Sequence, residues 1–258
     1  MNSQSYYQIQ NDEYEIFQHA VQHRLPVLIK GPTGCGKTRF VEYMAEQLER
    51  PLYTVSCHDD LTAADLLGRH LIGPDGTYWQ DGPLTRAARE GGICYLDEII
   101  EARKDTTVAL HSLSDHRRTV HLERTGETLT AHEDFMLVVS YNPSYQNLIK
   151  GLKPSTRQRF VAMSFDYPEA SVEASIIAHE SGIDEASAGQ LVKLATDIRR
   201  LTDIDLTAAV STRLLIYAGK MLKSGCPARK ACLYCVIEPL TDEPTTRQSL
   251  LRLVDAHF

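Results

Sequence analysis

The sequence predicts an α/β fold, a parallel sheet between helices, followed by an all-helical domain. Three observations carry this expectation. Short apolar runs at residues 26–30, 52–55, 93–96 and 135–141 alternate with segments of helical periodicity. A glycine-rich loop, Gly31-x4-Gly36-Lys37-Thr38, stands between the first run and the helix after it. From Pro168 onward, strand-like runs give way to successive helical patterns.

Taken in order, residues 11–23 carry Tyr14, Phe17, Ala20 and Val21 at helical spacing, which makes an amphipathic helix leading into the first strand. That strand stops at Gly31, and the next helix is expected over 39–49. Pro51 ends it, residues 52–55 form a second strand, and Thr62 is placed to cap a short helix through Leu67. Gly73, Pro74, Asp75 and Gly76 lie between two short apolar arms, the signature of a hairpin at 70–80. Gly82-Pro83 opens a helix to Glu90, with Pro83 at its first position. Gly91-Gly92 breaks that helix before an apolar strand ending in Asp97-Glu98. A helix over 105–114, a second hairpin at 118–131, a strand over 135–141 closing on Asn142-Pro143 and a last short strand over 161–165 complete this part. Helices are then expected at 169–181, 184–201, 211–224, 227–238 and 243–256. The boundary falls near residue 167, giving an α/β domain over 1–167 and a helical one over 168–258.

The 258 residues suffice for a substantial core. A net charge of −7 argues against a protein whose main task is gripping nucleic acid electrostatically. No apolar run approaches the ~20 residues of a membrane span. The first seven residues are polar and lack a signal-peptide plan, and the six cysteines are scattered, so a reducing cytoplasm is expected.

The chemistry concentrates at four places. In Gly31, Pro32, Thr33, Gly34, Cys35, Gly36, Lys37 and Thr38, the glycines let backbone N–H groups turn around a phosphate, and the following helix N-terminus adds partial positive charge. Lys37 would reach the β- and γ-phosphates of ATP, and the Thr38 hydroxyl would sit on Mg²⁺. Asp97 would hold Mg²⁺ through its water shell, and Glu98 would polarise the attacking water; the plain alternative is an acidic turn at a strand end. Asn142 could contact both that water and the γ-phosphate, or serve only as a turn residue before proline. Arg157 and Arg159 suit an arginine finger, against the alternative of a solvated basic helix end. Arg213 opens a helix of the second domain and could reach back towards nucleotide.

Two patterns are set aside. Cys232-x-x-Cys235 has metal or redox spacing but lies in a helical stretch without a second cysteine pair, so core thiols are expected. His111, His116 and His121 recur every five residues but straddle a helix end and a hairpin arm.

With these residues placed, the chain resembles AAA+ ATPases of the MoxR group, in the CbbQ/NorQ branch. The likeness runs nearly end to end. It is strongest at Lys30 to Val41, Cys57-His58-Asp59-Asp60-Leu61, Trp79-Gln80-Asp81-Gly82-Pro83-Leu84, Cys94-Tyr95-Leu96-Asp97-Glu98 and Ser140-Tyr141-Asn142-Pro143. The resemblance implies a P-loop NTPase core with a C-terminal helical lid, and a ring, usually a homo-hexamer, with nucleotide between subunits. It also assigns Asn142 to sensor 1, Arg213 to sensor 2 and the trans finger to Arg157–Arg159, with Arg159-Phe160 the closer match. Ser211-Thr212-Arg213 departs from the commoner Ser-Pro-Arg, which weakens the sensor 2 assignment. The two hairpins match insertions that face the ring pore or a partner. The implied partner carries a von Willebrand factor A domain, as CbbO does. The implied client is inhibited Rubisco, reactivated by release of sugar phosphates; the alternative is nitric-oxide reductase, matured by metal insertion. The likeness to CbbQ favours Rubisco. A small-molecule kinase and a non-hydrolysing nucleotide-dependent scaffold are the rivals of other classes.

Overall fold

The computed structural model describes residues 5–145, 152–202 and 209–258, so the N-terminal reading of residues 1–4 lies outside the described part. The chain divides into two compact units. One comprises Met1–Gly31 and Lys37–Phe165, the other Pro32–Gly36 and Asp166–Phe258.

In chain order the first unit contains α1 (Glu13–Gln22), β1 (Val27–Lys30), α2 (Lys37–Gln47), β2 (Leu52–Ser56), α3 (Ala63–Leu67), β3 (Gly68–Gly73) and β4 (Gly76–Asp81). It continues with α4 (Pro83–Glu90), β5 (Ile93–Asp97), α5 (Lys104–Ala109), β6 (Thr119–Leu122), β7 (Glu127–Thr130), β8 (Met136–Tyr141), α6 (Pro154–Arg157) and β9 (Val161–Ser164). The five-stranded sheet is parallel throughout, in the order β2-β5-β8-β1-β9. Its central strands are apolar on both faces because both faces are covered. Leu28, Leu96, Leu137 and Val139 pack with Leu66 of α3 and Leu84 and Ala87 of α4. Their neighbours in the strands, Val27, Ile29, Ile93, Met136 and Val138, pack instead with Phe17 of α1 and Phe40, Val41 and Met44 of α2. All six β8 residues are buried.

This order positions a site. From β1 the chain passes through α2 to β2, skipping β8 and β5, whereas β9 closes the other flank. The loop after β1 therefore lies where connections diverge, at the C-terminal ends of the strands, the place open α/β sheets bind ligands. The two hairpins, β3–β4 and β6–β7, stand apart from the main sheet as antiparallel pairs.

Thr62 caps α3 in a reciprocal box with Asp65, as its position predicted. The helix expected over 105–114 is shorter: α5 ends at Ala109, and single turns carry the chain to Ser114. Thr106, Thr107 and Val108 are β-branched, which weakens helix propensity, and the buried Thr106 hydroxyl donates to the Leu61 carbonyl, tying the segment to the chain before α3. The turn Ile99–Glu101 and helix α6 carry no signal beyond Pro154 at the α6 start.

The second unit holds α7 (Ala170–Ser181), α8 (Glu185–Thr202), α9 (Thr212–Lys223), α10 (Ala228–Cys232) and α11 (Pro244–His257). The helix expected over 227–238 is α10 running into a π-helical turn, Leu233–Ile237. Ile177, Leu191, Ile198, Leu215, Val236 and Val254 form its own core, and Cys232 is buried among them. Among the described residues no cluster of His, Cys, Asp and Glu could hold a metal ion, and no helix is long and apolar enough to cross a membrane.

Candidate nucleotide-binding site

In the first unit, the ends of β1, β5 and β8 and the start of α2 converge. The Gly31 N–H extends the β1–β8 ladder by bonding the Tyr141 carbonyl. Lys37 opens α2 and is buried; its Nζ donates to the Gly31 carbonyl at 2.9 Å and lies 3.9 Å from Glu98 Oε1. The Thr38 hydroxyl donates to Asp97 Oδ2 at 3.3 Å. Glu98, just past the end of β5, has left-handed backbone angles, φ 54° and ψ 50°. Such a conformation in a non-glycine residue is strained and turns the chain sharply out of the strand. The Glu98 carboxylate also accepts the Asn142 backbone N–H at 3.3 Å. Burial pushes the Glu98 carboxyl above the usual range and Lys37 opposes that shift, with Asp97 adding a smaller upward push.

Asp97 is held from behind. The Tyr95 hydroxyl donates to its Oδ1 at 2.8 Å, and the Ser140 hydroxyl donates to the same oxygen at 2.5 Å. Ser140 Oγ in turn accepts the Glu98 N–H at 3.3 Å. Tyr95 and Ser140 are wholly buried. A hydroxyl buried without a partner costs about 1–3 kcal/mol, so two of them in apolar strands call for the acceptor that Asp97 supplies. The sequence reading missed both; the available signal was a polar side chain inside each of two apolar runs.

Asn142 is buried, and its Oδ1 accepts the Ser144 N–H at 3.0 Å, so it does build the turn before Pro143 while its backbone meets Glu98. Arg157 and Arg159 lie elsewhere. β9 runs parallel to β1 in register, Val27 beside Val161 and Lys30 beside Ser164. The two arginines precede β9, on the side where the parallel strands begin, whereas Lys37 follows the end of β1. Arg157 is exposed, whereas Arg159 donates to the His111 carbonyl and to Asp115 Oδ2, both at 3.2 Å. The described geometry thus gathers Lys37, Thr38, Asp97, Glu98 and Asn142, whereas Arg159 is engaged by His111 and Asp115 and Arg157 is exposed.

The loop tip, Pro32–Gly36, groups with the second unit. Gly34 and Gly36 have positive φ, 71° and 101°. A Cβ on Gly34 would meet Ser211 Cβ at 2.5 Å and Arg213 Cβ at 3.5 Å, so the start of α9 lies directly on the loop. The Ser211 side chain caps α9. Beside it, the wholly buried Glu173 accepts both Nη atoms of Arg199 at 2.7 and 2.8 Å and the Thr212 hydroxyl at 2.6 Å. Arg199 also donates to the Val210 carbonyl and stacks 3.9 Å from the Tyr167 ring, whose hydroxyl donates to the Thr33 carbonyl. This network, too, was missed by the sequence reading.

Chemically, a lysine at a helix start after a glycine loop suits a polyphosphate. A hydroxyl and a carboxylate oxygen 3.3 Å apart suit a hard, oxygen-preferring cation such as Mg²⁺.

Residues 26–160 match the family described as AAA domain (dynein-related subfamily), and residues 173–257 match CbbQ/NirQ/NorQ C-terminal. The denitrification regulatory protein NirQ of Pseudomonas aeruginosa is 63% identical over 98% of this chain and 97% of its own length. Protein NorQ of Paracoccus denitrificans is 56% identical over 98% of this chain and 94% of its own. Protein CbbQ of Hydrogenophilus thermoluteolus is 54% identical over 97% and 94%. Among solved structures, a Thermotoga maritima RuvB Holliday junction branch migration motor aligns with a TM-score of 0.56 at 14% identity, covering 93% of this chain and 67% of that one, a likeness of fold alone. The chain belongs to the CbbQ/NirQ/NorQ family and is an AAA+ ATPase.

Proposed function

We propose that this ATPase works as a ring whose sites form between subunits, and that it serves a denitrification enzyme, with nitric-oxide reductase as client. The observation behind the client is the order of identities: 63% to NirQ and 56% to NorQ, against 54% to CbbQ. That order reverses the preference for Rubisco drawn from motif likeness. Rubisco reactivation stays the second reading, supported by the CbbQ relative. In either reading a von Willebrand factor A domain protein is the partner.

In the mechanism, Lys37 neutralises charge on the β- and γ-phosphates. Thr38 and Asp97 would hold Mg²⁺, which supplies further neutralisation of phosphate charge. Glu98 accepts a proton from water as its oxygen bonds the γ-phosphorus; the bond from that phosphorus to the β–γ bridging oxygen breaks, leaving ADP and phosphate. Asn142 orients the water. Arg159 of a neighbour stabilises the γ-phosphoryl charge, with Arg157 as a second donor. The position of both arginines before β9, where the strands begin, supports a finger supplied by a neighbour. Arg213, beginning α9 beside Gly34, reports nucleotide to the helical lid. Loss of the γ-phosphate contacts would shift the lid, and the ring would pass that motion to partner and client.

The test is a paired assay with purified partner. In one arm nitric-oxide reductase is produced with this protein or its Lys37→Ala variant, and its activity and metal content are measured. In the other, Rubisco blocked by a sugar phosphate is mixed with the same proteins and ATP. Recovery confined to the reductase arm is expected; recovery confined to the Rubisco arm overturns the client.

A further inference from the structure

We propose that Tyr95 and Ser140 are positioning residues that fill Oδ1 of Asp97 and thereby commit Oδ2 to the metal. The proposal rests on reading Thr38 and Asp97 as the metal site. Both hydroxyls converge on one carboxylate oxygen, Tyr95 at 2.8 Å and Ser140 at 2.5 Å, and they lie 3.0 Å from each other. The other oxygen accepts the Thr38 hydroxyl at 3.3 Å. Tyr95 Oη also lies 3.4 Å from Thr38 Oγ1, so a single phenol touches both residues that would hold the metal, Asp97 through the oxygen turned away from it.

A carboxylate free to rotate presents either oxygen and swings about its Cβ–Cγ bond. Two buried donors on Oδ1 remove that freedom, fixing the plane of the carboxylate. Because Ser140 comes from β8 and Tyr95 from β5, the clamp also locks the two strands whose ends carry Asn142 and Asp97. Ser140 Oγ accepts the Glu98 N–H as well, so the same hydroxyl braces the strained turn that presents Glu98.

The test uses the full chain loaded with ADP and titrated with Mn²⁺, read by electron paramagnetic resonance. Metal-free ADP affinity is measured in parallel in chelator. Tyr95→Phe and Ser140→Ala are each expected to weaken Mn²⁺ binding about tenfold, with metal-free ADP affinity unchanged. Ser140→Thr, which keeps the hydroxyl, is expected to restore Mn²⁺ binding. Wild-type Mn²⁺ affinity in folded Tyr95→Phe and Ser140→Ala overturns the proposal, as does an equal loss of metal-free ADP affinity, which marks a merely structural role. Asp97→Ala separates the underlying reading: unchanged Mn²⁺ affinity in that variant removes the metal site itself.

Discussion

The Lys37 ammonium lies 3.9 Å from the Glu98 carboxylate, Lys37 opening α2 and Glu98 standing just past the end of β5. An incoming triphosphate competes for Lys37, and Glu98 is then left to act on water. Lys37→Ala is therefore expected to lose nucleotide binding, whereas Glu98→Gln keeps it and loses about 10²–10⁴ in turnover. Fluorescent-nucleotide titration and phosphate release distinguish the two; normal turnover in Glu98→Gln would remove the base role.

Burial raises the Glu98 carboxyl above the usual glutamate range. A base works only when ionised, so turnover should fall as pH drops through that raised value, at a higher pH than an exposed glutamate would give. A turnover profile against pH, taken with nucleotide saturating, should show this acid limb. A profile flat down to the unfolding pH contradicts it.

Gly34 has φ 71°, and any Cβ there collides with Ser211. A left-handed alanine costs about 1–2 kcal/mol before the clash is counted, so Gly34→Ala should weaken nucleotide binding by about tenfold or more. Equilibrium titration checks it; unchanged affinity would mean that the loop and the α9 start separate freely.

Glu173 is buried and its partner Arg199 is 16% exposed, and breaking this pair by removing one member should cost about 3–5 kcal/mol. Chemical denaturation of Arg199→Met should show that loss, and the double variant Glu173→Met/Arg199→Met should recover part of it. A single variant as stable as the parent would mean that solvent reaches the pair.

Much of this was legible in the sequence because the signals are local. Apolar runs bounded by glycine and proline marked the strands, and Gly31-x4-Gly36-Lys37-Thr38 marked the loop. What stayed hidden depends on tertiary neighbours. Nothing near Tyr95 in sequence says that Ser140 on another strand shares its acceptor, and Glu173 meets Arg199 across two helices. The short α5 was hidden for the same reason, since Thr106 bonds a carbonyl 45 residues away. The edge position of Arg157 and Arg159 required the sheet order, which no motif states.

In the proposed ring, each ATPase site takes Lys37 from one subunit and Arg159 from the next. Lys37→Ala and Arg159→Ala proteins, each inactive alone, would be mixed under conditions that exchange subunits, and phosphate release measured against the mixing ratio. Activity is expected to reappear, greatest near equal proportions, because some interfaces then pair an intact Lys37 with an intact Arg159. A mixture as inactive as its components at every ratio, with exchange demonstrated by labelled subunits, would contradict it.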